Sequence, residues 1–431
     1  MNSFWRIFSL ELKSAVRSKS LLMLTLVSVA WMIAAPFLFT GDGTPDGART
    51  LAIHYSLGGV AALLSVTLLA SATGAIAAER SSGRLQMTLV RPVRYAAVAL
   101  ARMSALAVVG AAVLAVAAAF EAARADLSRP CRHVLPPAMP SPREEAAMMY
   151  DVFMSDPSTP EAVRKAKKPV VLRLLAQRSF DRYDTVSTNA VIGWSFKLSD
   201  GSLPGEGLSV RLRFTNAYDV RDNVRGSLRL VCGDSVWSAA ITNITQAVVD
   251  IPLKQVKCGD MSGEAKSAAE LVFRNEGSSS LMLRPRRDVN LLVPADDFGR
   301  NLLRAYVELV AILTLLIAFG VFLGAGLGRP VALFTAIVAL AVSEMSPSVI
   351  EQYPDELETD RLDSIGLFIT RAAAEATHPI SSLEPLARLS DDVCVERREV
   401  VRTVVVDMAI VPLLLALLSG FVMPRKVDSQ V

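Results

Sequence analysis

The sequence predicts an α-helical polytopic membrane protein with six transmembrane helices and an inserted extracytoplasmic β-sandwich-like domain. Three observations predict this fold class. Hydrophobic residues make up 52% of the 431 residues, and the mean hydropathy is +0.39. The charged residues, 20% of the chain, fall between long uncharged runs, as a bilayer requires. The longest polar segment changes partway to a period of two, which is typical of half-buried strands.

Six apolar runs are candidates for the spans. Most approach the roughly 20 residues that a helix needs to cross the hydrocarbon core. The fifth run is short, and we expect it to extend past Glu344. The first run is too long for the apolar core of a signal peptide and is followed by further spans, so we interpret it as a span. The runs are residues 21–39, 55–78, 103–120, 309–328, 330–343 and 408–424.

Lysine and arginine are distributed unevenly around these runs. They are frequent in 1–20, in 79–102 and in 425–431, whereas the connection 41–54 contains only Arg49. By the positive-inside rule the three basic stretches lie in the cytoplasm and the 41–54 connection lies outside. The net charge of +3 is too small to indicate a nucleic-acid partner.

Six spans return both termini to the cytoplasm and place the two long polar segments outside. The charge pattern and the number of runs therefore agree. On this basis the N-terminal part comprises an interfacial amphipathic helix at 1–20 and spans one to three at 21–120, with a cytoplasmic loop at 79–102. An extracytoplasmic domain at 121–304 follows, and then spans four and five at 305–346. The C-terminal part comprises an extracytoplasmic helical loop at 347–402, span six at 403–424 and a cytoplasmic tail at 425–431.

The first 17 residues form an amphipathic pattern. On a helical wheel the aromatic and apolar side chains share one face, and the cations occupy a narrow opposite stripe. Such a helix lies in the membrane interface, with cations toward lipid phosphates and aromatic rings at the acyl boundary. The residues that we assign to this role are Trp5, Arg6, Lys13 and Arg17.

The segment 121–304 contains two kinds of pattern. Its first part, 143–183, is helical, and we expect Thr159 to cap a helix that starts at Pro160. From about 190 to 295 short runs with a period of two recur between turn residues, as at 208–214 and 281–293, and each is expected to form a strand. This pattern predicts an antiparallel β-sandwich.

All four cysteines lie in the segments predicted to be outside. An even number of cysteines in an oxidising compartment is typical of structural disulfides, although unpaired buried thiols give the same pattern. We expect Cys232 to pair with Cys258, because a Gly-Asp turn follows each of them, and Cys131 to pair with Cys394. Cys131 and His133 have no further ligands nearby in the sequence, so no metal site is predicted.

Residues 77–102 read AAERSSGRLQMTLVRPVRYAAVALAR. A glycine allows a turn, a leucine-rich stretch can form a short helix, and a proline stops that helix. The segment resembles the loop between spans two and three of type-2 ABC export permeases, and the N-terminal helix resembles that family's elbow helix. Arg102 stands where the family usually has lysine. The residues that we assign to ATPase coupling on this basis are Glu79, Arg80, Gly83, Arg84, Leu85, Leu89, Pro92 and Val93.

The resemblance implies the permease subunit of an ABC exporter, which forms the translocation path in the inner (cytoplasmic) membrane. The chain has no G-x-x-x-x-G-K-[ST] loop, so a separate ATPase subunit would bind ATP and this chain would be neither an enzyme nor a cofactor carrier. A homodimer, or a heterodimer with a second permease, is implied. Two alternatives stay open: a lipopolysaccharide-exporter-like permease, and a non-transporting membrane-anchored binding or sensor protein.

Three acidic residues lie close to the ends of predicted spans: Glu308, Glu344 and Asp407. The topology places all three toward the outer leaflet. Because a carboxylate is costly against lipid, each is expected to face the protein interior, a wet cavity or the headgroup zone. They either mark the outer interface or line the outer mouth of a translocation path, where they would repel anionic cargo or attract cationic cargo.

Overall fold

The computed structural model describes residues 3–39, 45–81, 94–180, 182–197, 207–216, 222–232, 235–245, 248–253, 268–352 and 384–422. The chain forms two compact units. The helical unit combines Met1–Arg129, Asp297–Val349 and Arg361–Val431, and the second unit is built mainly from Pro130–Asp296. The strands lie in the second unit, which we call the β-rich unit.

The described residues contain thirteen α-helices, one π-helix and eleven strands. The helices are α1 (Ser3–Arg17), α2 (Lys19–Leu38), α3 (Pro45–Ser81), α4 (Tyr95–Arg124), α5 (Pro142–Ser155), α6 (Glu161–Arg164), α7 (Lys168–Phe180), α8 (Pro285–Asp288), α9 (Phe298–Gly326), α10 (Arg329–Gln352), α11 (Glu384–Ser390), α12 (Arg397–Thr403), the π-helix (Val404–Ile410) and α13 (Val411–Val422). The strands are β1 (Pro130–Leu135), β2 (Asp184–Val186), β3 (Val191–Lys197), β4 (Ser209–Arg213), β5 (Thr215–Asn216), β6 (Asn223–Cys232), β7 (Ser235–Ile244), β8 (Val248–Pro252), β9 (Ala268–Asn275), β10 (Leu281–Leu283) and β11 (Val289–Asp297).

Four helices among the described residues are long and apolar enough to cross a membrane. They are Arg49–Glu79, Tyr95–Arg124, Phe298–Gly326 and Arg397–Phe421, the last of which includes the π-helix. Helices α1 and α2 pass the same test only as a pair bent by 58°, which raises the number to five. The fifth predicted run falls in α10, whose apolar part, Arg329–Leu340, is shorter than a crossing. A membrane protein with four or five candidate spans is therefore described, and the sixth span stays a prediction.

Helix α9 is the centre of the helical unit. In its most apolar stretch 78% of the residues are buried, against 56% in α3, 33% in α4 and 22% in the Arg397–Phe421 helix. It packs on all three of those helices and shares one hydrophobic core with them. The helices that surround α9 leave their other faces free to meet lipid.

Two glycines allow α9 to approach α3 closely. A Cβ atom at Gly324 would lie 2.5 Å from the carbonyl oxygen of Thr73, and one at Gly320 would lie 2.9 Å from the Cβ of Ala72. The spacing Gly320-x-x-x-Gly324 places both on one face of the helix. Small residues at this spacing allow backbones to pack tightly in membranes, where dispersion contacts replace the hydrophobic effect.

The strands of the β-rich unit form separate sheets in the described residues. The strand orders are β1-β11-β4-β8, β2-β10-β5 and β3-β9-β6-β7. Strand β6 pairs antiparallel with β7, from Asn223 opposite Ile244 to Cys232 opposite Ser235, and antiparallel with β9 on its other edge. The inward side chains of these sheets form one hydrophobic core, in which Phe214 and Phe273 pack with ring centroids 4.9 Å apart.

The alternation that predicted a strand at 208–214 is confirmed in β4. Its apolar side chains point into the core, while Arg211 and Arg213 keep part of their surface in solvent. The side chains that are at most 1% exposed are Leu208, Val210, Leu212 and Phe214.

Two predicted boundaries in this unit are wrong. The apolar run 281–293 is not one strand, because Pro285 opens the helical turn α8 and the strands on either side enter different sheets. Thr159 does not cap a helix: its hydroxyl donates to the carbonyl of Phe153, 2.7 Å away, and Pro160 occupies the N-cap of α6.

The Glu145 carboxylate links several elements in the helical part of the β-rich unit, where α5 and α7 also share a small hydrophobic cluster. Glu145 of α5 accepts a hydrogen bond from Ser179 of α7 and forms ion pairs with Arg182 at 3.1 Å and Arg286 at 3.2 Å. Partial burial raises the pKa of Glu145, but these hydrogen bonds outweigh burial and hold the pKa below its ordinary value. The charged form is therefore the one that fits this site.

Candidate functional site

Three charged side chains join α1, α3 and α4. Arg102 of α4 is 4% exposed. Its Nε lies 2.9 Å from Oε1 of Glu11 in α1, and its Nη2 forms an ion pair with Oε2 of Glu79 in α3. Its Nη1 donates a hydrogen bond of 3.2 Å to the carbonyl of Ala75, one turn before Glu79. We call Glu11, Glu79 and Arg102 the ion cluster.

Arginine is well suited to the centre of the ion cluster. Its guanidinium remains charged and presents five N–H donors in a planar fork, so it can meet carboxylates on two sides at once. A buried charge without a partner is costly, and here Arg102 has two carboxylates and a backbone carbonyl. The ion cluster therefore holds the end of α3, the start of α4 and the middle of α1 in one arrangement.

A signal for the ion cluster is visible in the sequence, although we did not predict Glu11. Glu11 is the only acidic residue of α1. At 100° per residue it falls beside Phe4 and Ala15 on the apolar face, away from Arg6 and Lys13. An acid on that face cannot pair within its own helix, so it needs a cation from another helix.

Of the residues assigned to ATPase coupling, Glu79 is the one whose side chain is described, and it lies in the ion cluster. The backbone of Arg80 belongs to α3, but its side chain lies outside the described residues. Their role in coupling stays a prediction. Those of the set that lie wholly outside the described residues are Gly83, Arg84, Leu85, Leu89, Pro92 and Val93.

Helix α1 carries the residues predicted to lie in the membrane interface. Trp5 is 56% exposed and packs edge-on against Phe8, with ring centroids 5.6 Å apart. Arg6, Lys13 and Arg17 are exposed. The helix packs against α4 along its other side. One face of α1 therefore packs on α4, and the rest of its surface is a mixture of exposed aromatic and cationic side chains.

At the opposite end of the helical unit, the short segment around α11 is fixed by a second set of polar contacts. Asp392 adopts φ = +58°, a left-handed conformation that Asp tolerates better than most residues. Its carboxylate forms ion pairs with Arg49 of α3 and with Arg129, the latter at 3.0 Å. Thr50 also donates to the carbonyl of Ser390, 3.1 Å away.

Asn301 of α9 continues this set of contacts and is fully buried. Its Nδ2 donates to the carbonyl of Val393 at 2.9 Å, and its Oδ1 accepts from the N–H of Val395 at 2.8 Å. Arg304, one turn later, donates to the carbonyl of Val395 at 3.2 Å. One amide thus satisfies two backbone groups of the stretch that follows α11. We call residues 384–396 the α11 segment.

Two of the three predicted pathway carboxylates are buried in the helical unit. Glu308 and Asp407 are each 7% exposed, whereas the side chain of Glu344 lies outside the described residues. Asp407 lies in the π-helix, a conformation often found at functional sites. A further buried carboxylate, Glu121, is 4% exposed and accepts a hydrogen bond from Ser56. The sequence analysis did not identify it, because it directly follows an apolar run and was assigned to the polar segment after that run. A role for these carboxylates in transport stays a prediction.

Cys131, Cys232 and Cys394 are each in a disulfide bond, and no described cysteine is a free thiol. Cys258 lies outside the described residues. The formation of disulfides is therefore confirmed for the described cysteines, and the pairing stays a prediction. No group of three or more potential ligands that could hold a metal is found in the described ranges.

Peptide mapping without reduction is expected to recover two linked pairs, Cys232 with Cys258 and Cys131 with Cys394. The first pair closes a short stretch of the β-rich unit, which favours it over more distant partners. The measurement is mass spectrometry of a proteolytic digest, with a reduced and alkylated digest as the control. A linkage between Cys131 and Cys232 would contradict the pairing.

The chain is mostly helical, with candidate membrane spans in one unit and separate sheets in the other, as in a membrane protein that carries a sheet domain. No known protein family, no curated protein and no solved structure matches it.

Proposed function

We propose that this chain is the membrane-spanning permease subunit of an ABC exporter and that it works with a separate ATPase subunit. The proposal is carried by one observation: the segment that resembles a permease coupling loop starts and ends at the ion cluster. Glu79 lies near the start of this segment, Arg102 is its last residue, and Glu11 attaches the N-terminal helix to Arg102.

The ion cluster supplies a physical route for coupling. A partner that pushes on residues 82–93 would displace the end of α3 and the start of α4 together, because Arg102 holds both. Helix α1 would move with them through Glu11. The displacement would then reach α9, which packs on both α3 and α4. A force applied to one loop is in this way transmitted to the helices that would enclose a translocation path.

The partners follow from the same proposal. The proposal assigns ATP binding to a separate ATPase subunit, because these 431 residues contain no P-loop for nucleotide phosphates. Two permease chains, identical or different, would form the path between them in the cytoplasmic membrane. The β-rich unit would lie outside that membrane, where its disulfides are stable.

Substitution of Gly83 by proline is expected to lower stimulation of the partner ATPase several-fold. Proline fixes φ and removes an N–H group, which alters the predicted turn. Reversal of Glu79 to lysine should have the same effect, because it places a second cation against Arg102. The measurement is ATPase activity of the copurified complex in nanodiscs, with membrane insertion verified for each variant.

Gly328→Ala is the matched control, because a Cβ at this position in another interhelical connection meets nothing within 4 Å. Normal ATPase stimulation in both Gly83→Pro and Glu79→Lys would reduce the segment to a topology signal. Failure of the wild-type chain to copurify with any ATPase would instead favour the membrane-anchored binding or sensor protein, for which the β-rich unit would be the binding part.

Topology labelling in intact cells tests the location of the β-rich unit. A membrane-impermeant maleimide is expected to label Ser202→Cys and not Ser82→Cys, because the basic loop stays in the cytoplasm. Permeabilised cells provide the control, since both variants should then react. Labelling of Ser82→Cys alone in intact cells would invert the topology and remove the proposed function.

A further inference from the structure

Strand β7 is an edge strand of the sheet β3-β9-β6-β7 and lacks the features that usually protect such an edge. Edge strands of natural proteins carry charges, prolines or bulges, because their open row of backbone groups can pair with a strand of another chain. The sequence of β7, SVWSAAITNI, has no charged residue and no proline. Its residues pair one-to-one with those of β6 over the whole length of the strand. The edge of β7 is therefore regular and suited to a further strand.

The other edges of the two four-stranded sheets carry protecting residues. Strand β3, at the far edge of the same sheet, ends in the exposed Lys197. Strand β8 contains Asp250 and Pro252, and β1 contains Pro130 and Arg132. Among these four edges, β7 is thus the one at which a further strand can add.

The residues whose backbone groups point to the open edge follow from the ladder. The N–H of Thr245 donates to the carbonyl of Asp222, 2.9 Å away, so these two residues are a hydrogen-bonded pair. Such pairs alternate with non-hydrogen-bonded pairs in an antiparallel ladder, and Asn223 opposite Ile244 comes next. Every second residue from Ile244 back to Val236 therefore turns its N–H and C=O groups away from β6. In the part of the chain that the structure describes, these groups have no hydrogen-bond partner; they belong to Val236, Ser238, Ala240, Thr242 and Ile244.

The side chains of the same five residues form an exposed, uncharged row. Val236 is 65% exposed and Ile244 is 48% exposed. The three residues between them, Ser238, Ala240 and Thr242, are also exposed. A strand that adds at this edge would meet apolar side chains at both ends of the row and small side chains in the middle.

This row is complementary to a second copy of itself. Two β7 strands related by a two-fold axis run antiparallel, and one register pairs all five residues. It places Ala240 on the axis, opposite the second copy's Ala240. Ser238 then lies opposite Thr242, and Val236 lies opposite Ile244. Opposed hydroxyl groups and opposed apolar side chains are favourable cross-strand pairs, and no like charges meet. Five hydrogen-bonded pairs with two bonds each would supply about ten backbone hydrogen bonds.

We propose that β7 pairs with β7 of a second copy of this chain, so that two four-stranded sheets join into one continuous sheet. The contact is isologous, because both copies use the same surface, and it closes after two chains. The candidate spans hold both copies in one membrane, which raises their effective concentration and favours a contact of this size. An extended peptide of another protein could use the same backbone groups, but the self-complementary row favours a second copy. The inference does not depend on the proposed transport function.

Disulfide cross-linking of the full chain in its membrane tests the contact and its register. After mild oxidation Ala240→Cys should give a covalent dimer, because the Cα atoms of a hydrogen-bonded pair lie about 5.5 Å apart, within the range of a disulfide. Ser238→Cys should cross-link several-fold less, because its two copies lie about 14 Å apart in the proposed register. The double variant Ser238→Cys/Thr242→Cys should cross-link again. The wild type gives the background, since its described cysteines are already in disulfides.

A charge on the axis should break the contact. Ala240→Lys, added to the Ser238→Cys/Thr242→Cys variant, should lower cross-linking several-fold, because two ammonium groups meet on the axis. Val191→Lys is the matched control: it adds the same charge at a 59% exposed position of β3, at the opposite edge of the sheet, and should leave cross-linking unchanged. Thermal unfolding verifies that each variant is folded.

Three results would each overturn the proposal: no covalent dimer from Ala240→Cys, equal cross-linking of Ser238→Cys and Ala240→Cys, or no effect of Ala240→Lys. Equal cross-linking would show random collision in place of a fixed register. Cross-linking of Ala240→Cys to a different polypeptide would also overturn it, since the edge would then bind a strand of a partner protein.

Discussion

Replacement of Arg102 by glutamine is expected to lower the free energy of unfolding of the helical unit by about 3 kcal/mol. The change leaves Glu11 and Glu79 close together without a counter-charge. Removal of one partner of a buried ion pair costs about 3–5 kcal/mol, and the lower end applies because the two carboxylates keep 31% and 30% of their side-chain surface exposed. Chemical unfolding in detergent, followed by tryptophan fluorescence, measures the change.

Two further variants separate charge from geometry. Arg102→Lys should recover part of the loss, because lysine keeps the charge but lacks the planar fork that meets two carboxylates. Arg124→Gln is the control on the same helix: its guanidinium lies exposed over the ring of Phe120, 5.4 Å from the centroid, so the expected change is within about 0.5 kcal/mol. An Arg102→Gln protein as stable as the wild type would show that the ion cluster contributes nothing to the fold.

Replacement of Asn301 by alanine is expected to lower the free energy of unfolding by about 3 kcal/mol and to release the α11 segment from α9. The change leaves the N–H of Val395 and the carbonyl of Val393 without their partner, and each buried group left unpaired costs about 1–3 kcal/mol. Hydrogen exchange measures the release directly. The amide of Val395 should exchange roughly 100-fold faster, since each 1.4 kcal/mol is a factor of ten.

Asn290→Ala is the control for the loss of an amide side chain. Asn290 donates to the carbonyl of Arg287 at the solvent-exposed side of β11, 3.2 Å away, so its removal leaves no buried group unpaired. Exchange at Val395 should not change in this variant. Unchanged exchange in Asn301→Ala would mean that Asp392, with Arg49 and Arg129, is sufficient to hold the α11 segment.

The parts of the fold that could be predicted from the sequence are those set by local periodicity. The alternation from Leu208 to Phe214 determines which side chains of β4 enter the core, whatever the neighbouring strands are. Length and hydropathy indicate α3, α4 and α9 as candidate spans for the same reason. The prediction of a single strand at 281–293 was wrong because Pro285 starts a helical turn inside the apolar run.

The parts that could not be predicted depend on contacts between residues far apart in the chain. Arg102 meets Glu11, and Asn301 meets Val395, across more than 90 residues in each case. Local patterns contain no information about which distant group forms the ion pair or hydrogen bond that a buried polar side chain needs. The π-helix at Val404–Ile410 was missed for a different reason, since an extra residue in one turn hardly changes the hydropathy of a span.

The helical unit is synthesised in a different order from that in which it packs. Its most buried helix, α9, begins about 170 residues after α4 ends at Arg124. A ribosome needs roughly 10–35 s for that stretch at 5–20 residues per second. During this interval the face of α3 around Ala72 and Thr73 has no α9 to meet, while the main part of the β-rich unit, Pro130–Asp296, is synthesised. During biosynthesis α3 and α4 are therefore present before α9. The length of the inserted unit determines how long the α3 surface that packs against α9 must instead contact lipid or the insertion machinery.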